Sequence, residues 1–333
     1  MKTTYVIAEI GNTHEGSLGL AKQFMKAAAE CGVDCVKFQT HIFEAESLPD
    51  APNPPYFKDE TRKEYFDRTS FTLEELKKLK AYADDLKVDF MSSPFSLEAV
   101  DLLEQVGVVA YKIPSGEVTN LALLEKIAGT KRRVILSSGM SSWAELDQAV
   151  ECLREHGCDD LYVVQCTSEY PCPPQRAGIN LMKEIGERYK CQIGFSDHTL
   201  GVAMPLLAVA NGATLVEKHF TLSKLMYGSD AKNSTEPQEF KFLVDQIRAT
   251  DLALNNPLDK NEVVKNLNEM KFVFEKTIVA SQDLEKGAVI SKDMLSFKKP
   301  MRGIPASRYK ELLGKKLSVP VKHNELLKFE DLF

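Results

Sequence analysis

The chain has 333 residues, of which 44% are hydrophobic and 27% are charged. These values are typical of a globular protein with one large domain and one small domain. The net charge of −6 provides no basic surface for nucleic acid or for an anionic membrane, and no apolar run is long enough to span a bilayer. We therefore expect no nucleic-acid partner and no membrane association.

The chain start and the cysteines predict a cytoplasmic protein. The opening residues MKTTYVIAEIG have one lysine and a short apolar run that contains an acid, which is not the pattern of a secretory signal. The seven cysteines are scattered and include no CxxC pair. We expect them to be reduced thiols, neither disulfides nor zinc ligands.

Eight β-rich runs alternate with amphipathic helical patterns in the first part of the chain. In SWAELDQAVECLREHG, for example, the apolar residues recur at i, i+3 and i+4. Eight such units predict an α/β fold, a (β/α)8 TIM barrel. A doubly wound open sheet is the alternative, but the strand count and the lack of a GxGxxG opening count against it. The predicted strands are 5–11, 35–41, 88–94, 109–116, 133–140, 161–171, 191–197 and 215–222.

Two later features depart from this alternation. The segment 42–72 is predicted to be a long loop, and such loops are commonly lids or binding loops; its prolines are Pro49, Pro52, Pro54 and Pro55. The polar stretch 257–275 is predicted to be a linker. It would join a barrel domain over 1–256 to a small β-rich domain over 276–333.

Functional groups of a TIM barrel gather at the carboxyl ends of its strands. These ends are rich in Ser, Lys, Glu and His, where turn residues alone would suffice. We therefore place the candidate site at this end of the barrel. The strand ends are EIG, KFQTH, SSP, KIPSGE, SSGM, CTSEYP, FSDH and EKHF.

Two of the six histidines, His198 and His219, come at the ends of consecutive predicted strands. Neighbouring strands place such side chains side by side, where two imidazoles can bind a divalent metal and leave positions open for substrate oxygens. The alternative is a pair of hydrogen-bonded structural histidines. Two nitrogen ligands with otherwise oxygen coordination suit Mn²⁺ or Mg²⁺ better than a closed zinc site.

Lys37 and Lys112 each lie within an apolar strand run, so a buried position requires a negative partner. That partner is either a buried acid such as Glu9 or Glu117, or the phosphate or carboxylate of a substrate. A Schiff-base lysine, as in class I aldolases, is a third alternative. Serines at other strand ends favour anion binding, because hydroxyls and lysines together form an oxyanion cradle. These serines are Ser93, Ser115, Ser137 and Ser196.

Acidic residues complete the candidate set. Glu217 lies two residues before His219, so on a strand both side chains point to the same face, where Glu217 could support a metal. Asp230 follows the eighth strand run in YGSDAKNS.

The motifs, taken in chain order, resemble those of the bacterial sialic acid synthases. That family includes legionaminic and pseudaminic acid synthases and spore-coat polysaccharide relatives. The tail TIVASQDLEKGAVISKDMLSFKKP and its continuation resemble the family's C-terminal antifreeze-like (SAF) domain. The resembling motifs are AEIGNTHEGSL, VKFQT, SSPF, YKIPSGEVTNLALL, ILSSGM, CTSEYPCP, GFSDHTLG and EKHFTL.

The resemblance implies a metal-dependent transferase and a domain-swapped homodimer, in which each small domain caps the partner's barrel. The enzyme would condense phosphoenolpyruvate with an N-acylated amino-sugar aldehyde such as N-acetylmannosamine, with C–O cleavage and release of phosphate. By the same resemblance, His198 and His219 match metal ligands. The residues that match phosphoenolpyruvate ligands are Lys37, Lys112, Ser93, Ser115, Ser137 and Ser196. Gln39 and Glu117 match polar residues beside these ligands. The residues at positions that contact the sugar or its metal-bound water are Glu9, Asp230, Ser168 and Tyr170.

Departures from the family pattern leave the sugar open. Ser168 stands where the CTN form of the motif carries Asn. The arginine that contacts the sugar's N-acetyl group usually lies in a K-R-P run, and here Lys299 occupies its position, with Arg302 three residues further on. Lysine cannot reproduce the bidentate fork of arginine.

The predicted mechanism assigns proton handling to Glu117, and orientation of sugar hydroxyls or of a metal-bound water to Glu9 and Asp230. Three alternatives remain at this point. The first is a legionaminic acid or other nonulosonic acid synthase that uses a 2,4-diacetamido-trideoxy hexose. The second is a class I aldolase with Lys112 as the Schiff base. The third is a carbohydrate-binding protein without enzymatic activity.

Overall fold

The computed structural model describes residues 3–53, 60–228 and 230–333. The chain forms two compact units, Met1–Asn256 and Pro257–Phe333. Pro54 and Pro55, which belong to the predicted loop, lie outside the described residues.

Eight parallel strands close into a barrel in chain order, and the pairing of the first strand with the eighth completes it. This closure confirms the predicted TIM barrel and rules out the open sheet. The fourth, fifth, sixth and eighth strands end earlier than predicted. After the fourth strand, the chain turns at Pro114 into a 3-10 segment, Ser115–Glu117. The strands are β1 Tyr5–Gly11, β2 Cys35–Thr40, β3 Asp89–Pro94, β4 Ala110–Ile113, β5 Arg133–Ser137, β6 Leu161–Cys166, β7 Gln192–Asp197 and β8 Leu215–His219.

Helices surround the barrel, and six of those in the first unit begin at a side-chain cap. In α7, Ser142 and Glu145 form a reciprocal capping box, which satisfies backbone N–H groups at the helix start. The helices of the first unit are α1 Leu18–Glu30, α2 Phe43–Glu46, α3 Arg62–Thr69, α4 Leu73–Leu86, α5 Leu97–Val106, α6 Leu121–Gly129, α7 Trp143–Glu155, α8 Leu181–Tyr189, α9 Ala203–Ala210 and α10 Pro237–Leu254.

The segment 42–72, predicted to be a loop, contains the helices α2 and α3. Thr61 caps α3 through a box with Glu64, since the Thr61 side chain accepts from the Glu64 N–H and the Glu64 carboxylate accepts from the Thr61 N–H. The prediction of an irregular segment was wrong here. The prolines suggested irregular structure, but the Thr61–Glu64 capping box marks the start of a helix.

The barrel has two apolar layers. The larger one lies between the strands and the helices, and the smaller one fills the barrel interior near the amino ends of the strands. The interior layer consists of Ile7, Cys35, Met91, Ala110, Ile135, Val164 and Leu215. These residues come from seven different strands, so the barrel is a packed core at this level.

The second unit is built around a short antiparallel sheet of β9 Thr277–Ala280 and β10 Leu295–Lys298, preceded by helices α11 Lys260–Lys265 and α12 Asn268–Phe274. The stretch predicted to be a linker therefore carries two helices. A separate apolar cluster supports the sheet: Ile278, Ala280, Leu284, Ile290, Leu295, Ile304, Leu312, Leu317, Val321 and Leu327.

None of the helices in the described part of the chain has both the length and the apolar character needed to cross a membrane.

Close packing in the barrel interior requires a glycine at position 194 of β7. A Cβ at Gly194 would lie 2.7 Å from Val164 Cγ1 and 2.9 Å from the carbonyl oxygen of Leu215, which cannot move without distorting β8. We predict that Gly194→Ala lowers the free energy of unfolding by about 1–3 kcal/mol, measured by urea denaturation. Gly129→Ala is the matched control, because no atom lies within 4 Å of its added Cβ, and it should leave stability unchanged or slightly raised. Equal stability of the two variants would contradict this account.

Candidate active site at the barrel mouth

A ring of polar side chains lies directly above the apolar interior layer, at the carboxyl ends of the strands, which we call the mouth. Side chains of a strand alternate between its two faces, so the residue two positions after each member of the apolar layer also points inward. The ring consists of Glu9, Lys37, Ser93, Lys112, Ser137, Cys166 and Glu217, and Ser196 follows Gly194 in the same way on β7. Seven of these eight residues were predicted as site residues from the sequence.

The two lysines of the ring are paired with carboxylates. Lys37 Nζ lies 2.7 Å from Glu9 Oε2 and 3.9 Å from Glu217 Oε1. Lys112 Nζ lies 3.4 Å from Glu217 Oε1. Since β4 and β8 stand on opposite sides of an eight-stranded barrel, the contact between Lys112 and Glu217 crosses the interior. Of the alternatives raised for these lysines, pairing with a buried acid is present in this structure, with Glu9 and Glu217 as the acids.

This pairing keeps the buried groups charged. Burial alone would raise the pKa of Glu217, but the ammonium groups of Lys112 and Lys37 outweigh it and lower the pKa to about 2. Burial likewise opposes the charged form of Lys37, but the carboxylates of Glu217 and Glu9 raise its pKa above the usual lysine value. At neutral pH the mouth therefore holds full positive and negative charges in a poorly solvated space.

Hydroxyl groups connect the ring to the loops above it. Ser115 Oγ lies 2.9 Å from Ser137 Oγ and accepts a hydrogen bond of 3.1 Å from Ser168. Ser196 donates to Glu217 at 3.0 Å, and Lys37 donates to Ser93 at 3.2 Å. All the serines predicted for the site are thus brought to one mouth, next to the lysines.

The histidines lie side by side, with 5.5 Å between the ring centroids of His198 and His219. The Tyr170 ring lies against His198, with 4.0 Å between the ring centroids and a tilt of 33°, and meets the His219 ring edge to face. The Nδ1 atom of His198 lies 2.8 Å from the backbone oxygen of Thr167. This bond fixes the ring and leaves Nε2 available, as is usual for a metal-binding histidine.

His219 fits the same interpretation for a different reason. Its Nδ1 is buried and has no hydrogen-bond partner among the described residues, and a buried polar atom without a partner requires an explanation. Burial lowers the pKa of His219, which favours the neutral imidazole that binds metal ions. Burial opposes protonation of His198, but its contact with Cys166 raises the His198 pKa, so a cation there would have to displace a proton. The positions of the two side chains are compatible with a shared divalent cation.

The mouth continues toward Asp230 and Gln39. Gln39 Nε2 donates to Glu9 Oε1 at 2.9 Å. A Cβ at Gly11, where φ is +55°, would lie 3.1 Å from Asp230 Oδ2 and 3.4 Å from Gln39 Nε2. The chain thus has glycine where its backbone passes between these polar groups, and the space beside them stays open.

Glu117 lies in the 3-10 segment after β4 and is half-buried. Its Oε2 accepts a hydrogen bond of 2.8 Å from Asn120 Nδ2. Burial raises the pKa of Glu117, the Asn120 hydrogen bond opposes the rise, and the charge of Glu46 adds to it. A carboxyl group with a raised pKa is suited to exchange a proton near neutral pH.

Two features of the mouth escaped the sequence analysis. The first is Cys166, which was predicted only as a buried thiol; its Sγ lies 3.8 Å from Ser115 Oγ and 3.9 Å from His198 Nδ1. Burial would raise the pKa of Cys166, but His198 and Lys112 together lower it to about 6. Counting two residues along β6 from Val164 would have placed this thiol in the ring.

The second missed feature is His41, two residues after Gln39. Its ring is stacked between Phe66 and Phe95, at centroid distances of 3.9 and 4.0 Å. His41 Nδ1 lies 2.9 Å from Glu46 Oε1, and Nε2 lies 3.2 Å from Gln39 Oε1. Because the Gln39 amide nitrogen faces Glu9, its oxygen must accept from His41. The orientation of Gln39 therefore depends on His41.

Lys299 and Arg302 belong to the second unit and are both exposed. The ammonium group of Lys299 lies 5.1 Å from the centroid of the Phe274 ring. The contact with a sugar that was predicted for these two residues stays a prediction.

A different set of potential metal ligands lies on the surrounding helices: Glu125, Cys152 and His156. The carboxylate and the imidazole are exposed, and His156 Nδ1 lies 2.8 Å from the backbone oxygen of Cys152. This group does not belong to the ring at the strand ends.

The fold and the mouth define a class of (β/α)8 proteins with an ionised, hydroxyl-rich site at the strand ends. Residues 24–259 match the NeuB family, and residues 275–332 match the SAF domain. The chain belongs to the NeuB family, which confirms the resemblance found in its motifs.

Similar proteins cover almost the whole chain. The N,N'-diacetyllegionaminic acid synthase of Campylobacter jejuni is 39% identical over 98% of this chain and 100% of its own length. The enzyme of the same name from Legionella pneumophila is 35% identical over 99% of this chain and 95% of its own length. The crystal structure of the N-acetylneuraminic acid (sialic acid) synthetase of Leptospira borgpetersenii has a TM-score of 0.71 and 29% identity, covering 81% of this chain and 93% of that one.

Gly139 keeps the serine hydroxyls in place. A Cβ there would lie 2.4 Å from Ser115 Oγ and 2.5 Å from Ser168 Oγ, so Gly139→Ala should push both hydroxyls from their present hydrogen bonds. If these hydroxyls hold an anion, the variant's Kd for phosphoenolpyruvate, measured by isothermal titration calorimetry, should rise about tenfold or more. Gly116→Ala is the matched control, because no atom lies within 4 Å of its added Cβ. An unchanged Kd in a folded Gly139→Ala protein would exclude the serines from anion binding.

Proposed function

We propose that this protein is a sialic acid synthase of the N-acetylneuraminate type. It would condense phosphoenolpyruvate with N-acetylmannosamine or a related acylated amino sugar. The observation that carries this proposal is the shared mouth, where buried lysines and hydroxyls adjoin a pair of imidazoles. Carbon 3 of phosphoenolpyruvate would form a bond to the aldehyde carbon of the sugar, water would add at carbon 2, and phosphate would leave with its bridging oxygen.

The lysines and serines would bind the donor. Lys37 and Lys112 supply the positive charges for the phosphate and carboxylate of phosphoenolpyruvate, and both ammonium groups already lie at one level of the barrel. Ser115 and Ser137 would add hydroxyl ligands for the donor, and Ser168, at a position predicted to contact the sugar, donates a hydrogen bond to Ser115. Holding both ends of a three-carbon donor fixes its reactive carbon in near-attack geometry.

The adjoining part of the mouth, at the ends of β7 and β8, would bind the acceptor sugar. His198 and His219 would hold a divalent cation, Mn²⁺ or Mg²⁺, which supplies Lewis-acid polarisation of the sugar aldehyde. Glu9 and Asp230 would orient the sugar hydroxyls, and Gln39, held by Glu9, would extend the same polar surface. Glu217 would keep the two lysines in position beneath the donor.

Glu117 would move the proton that the addition of water releases. Its half-buried position and raised pKa support this role. Glu117 lies in the same 3-10 segment as Ser115. One turn would therefore hold both the proton-transfer group and a residue that binds phosphoenolpyruvate.

A second type of acceptor sugar is the alternative to N-acetylmannosamine. The two N,N'-diacetyllegionaminic acid synthases described above match this chain over nearly its whole length. They favour an acceptor of the 2,4-diacetamido-trideoxy hexose type as the alternative to N-acetylmannosamine.

The assembly and location proposed here follow from the family resemblance. We infer a domain-swapped homodimer in which Lys299 or Arg302 of one chain reaches the sugar bound by the other. We also infer a cytoplasmic enzyme, which agrees with seven free cysteines.

Phosphate release over a panel of acceptors tests the proposed function. We expect phosphoenolpyruvate-dependent phosphate release with N-acetylmannosamine or with a 2,4-diacetamido-trideoxy hexose. ¹⁸O placed in the bridging position of phosphoenolpyruvate should appear in the phosphate. His198→Ala should abolish turnover, whereas His156→Ala, which disrupts only the helix-borne group of potential ligands, should keep it. Sugar binding without phosphate release from any acceptor would instead favour a carbohydrate-binding protein.

The pH dependence of turnover tests Glu117. Asn120→Ser removes the amide that donates to Glu117 but keeps a side chain able to cap α6. Because that hydrogen bond lowers the pKa of Glu117, its loss should move the Glu117 titration in the pH–rate profile to higher pH, whether Glu117 acts as acid or base. Asn120→Asp should move it further, because it adds a like charge. A profile that is the same in all three proteins would remove Glu117 from the rate-determining proton transfer.

A further inference from the structure

A buried ion pair lies on the back of the sheet, directly behind the two histidines of the mouth. Asp197 precedes His198 on β7, Lys218 precedes His219 on β8, and the two residues are register partners of these neighbouring strands. Lys218 Nζ lies 2.5 Å from Asp197 Oδ2, and the side chains are 2% and 0% exposed. Since strand side chains alternate, this pair faces away from the barrel interior.

The pair also holds the backbone on the far side of His198. Lys218 Nζ donates to the backbone oxygen of Thr199 at 2.6 Å, and Asp197 Oδ1 accepts from the Thr199 N–H at 2.9 Å. His198 is thus flanked by two residues that are both bound to Lys218, the neighbour of His219. A change in the separation of the histidine backbones would disturb these contacts as well as the pairing of β7 with β8.

Stability alone is a weak explanation for such a pair. Removing two charges from water costs several kcal/mol per ion, and apolar residues of similar volume are often as stable or more stable. What a fully hydrogen-bonded pair provides is one fixed geometry. Here that geometry links the carboxyl ends of β7 and β8 at the residues next to the imidazoles.

We propose that Asp197 and Lys218 are positioning residues that set the separation of the His198 and His219 imidazoles for binding a divalent cation. This inference rests on the proposed metal-binding role of the two histidines. Neither Asp197 nor Lys218 touches the cation or a substrate, because their contacts lie on the opposite face of the sheet.

The test is the affinity of the purified full-length protein for Mn²⁺ alone, measured by the electron paramagnetic resonance signal of free Mn²⁺. The variant is Asp197→Asn combined with Lys218→Met, which removes both charges together and so leaves no unpaired buried ion. We expect it to fold, with a circular dichroism spectrum like that of the wild type, and to bind Mn²⁺ at least tenfold more weakly.

A second ion pair supplies the matched control. Arg132 Nε lies 2.6 Å from Glu104 Oε1. This pair is on a part of the barrel remote from the histidines. Glu104→Gln combined with Arg132→Met also removes an ion pair of the barrel, one whose side chains are 35% and 32% exposed, and should leave the Mn²⁺ affinity unchanged. Any loss of melting temperature that this control shares with the first double variant is thereby separated from an effect on the histidines.

Single substitutions test whether the two residues act as one unit. Asp197→Asn and Lys218→Met should each weaken Mn²⁺ binding at least as much as the double variant does, because either change breaks the same pair and leaves the other residue without its partner. Additive losses would show independent effects and overturn the proposal. Should the asparagine–methionine variant not fold, Asp197→Asn with Lys218→Gln, which keeps a neutral donor, takes its place under the same criterion.

The remaining outcomes separate this inference from the proposed function. Wild-type Mn²⁺ binding that is lost in His198→Ala but retained at full affinity in a folded double variant would overturn the positioning role and leave the metal site standing. Absence of His198-dependent Mn²⁺ binding in the wild-type protein would overturn both.

Discussion

Mutual neutralisation allows four charged side chains to lie inside the closed barrel. Lys37 and Lys112 are buried next to Glu9 and Glu217, and each ammonium group lies within ion-pair distance of at least one carboxylate. An isolated charge at this depth would be very costly. The four groups therefore form one electrostatic unit, in which the loss of one charge leaves a neighbouring charge without a partner.

These four charged groups determine which anions can bind at the mouth. The lysines are already satisfied by carboxylates, so a phosphate or carboxylate must compete with Glu9 and Glu217 for the same ammonium groups. The neighbouring serine hydroxyls offer hydrogen bonds that the carboxylates do not fully use. A doubly anchored donor can win this competition where a single weak anion cannot, which favours a ligand with two separated anionic groups.

The inner and outer faces of the barrel sheet have different roles at β7 and β8. The inner face carries the groups suited to chemistry, whereas the outer face behind β7 and β8 carries the Asp197–Lys218 pair in surroundings closed to solvent. Chemistry at a barrel mouth needs side chains held to within a fraction of an ångström. A polar pair on the outer face can hold the histidine backbones without taking up space in the site.

Much of this arrangement could be predicted from periodicity. Eight strand runs predicted the barrel, and the strand ends predicted seven of the eight ring residues. Cys166 was missed because a cysteine among apolar neighbours is usually inert packing, and only its register beside His198 and Ser115 distinguishes it. His41 was missed because its partners are distant from one another in the chain, and no local pattern brings them together. Glu46 lies in α2, Phe66 in α3 and Phe95 in the turn after β3.

The sequence by itself determined which residues point into the barrel, since alternation along a strand is a local property that each strand carries in its own order of residues. The tertiary structure decided which of these residues meet. Lys112 reaches Glu217 only because β4 and β8 stand opposite each other in the closed ring. Asp197 meets Lys218 only because the register between β7 and β8 pairs them. Distances across the barrel and between strands depend on barrel closure and strand register. Both involve all eight strands at once, so the sequence of a single strand does not determine them.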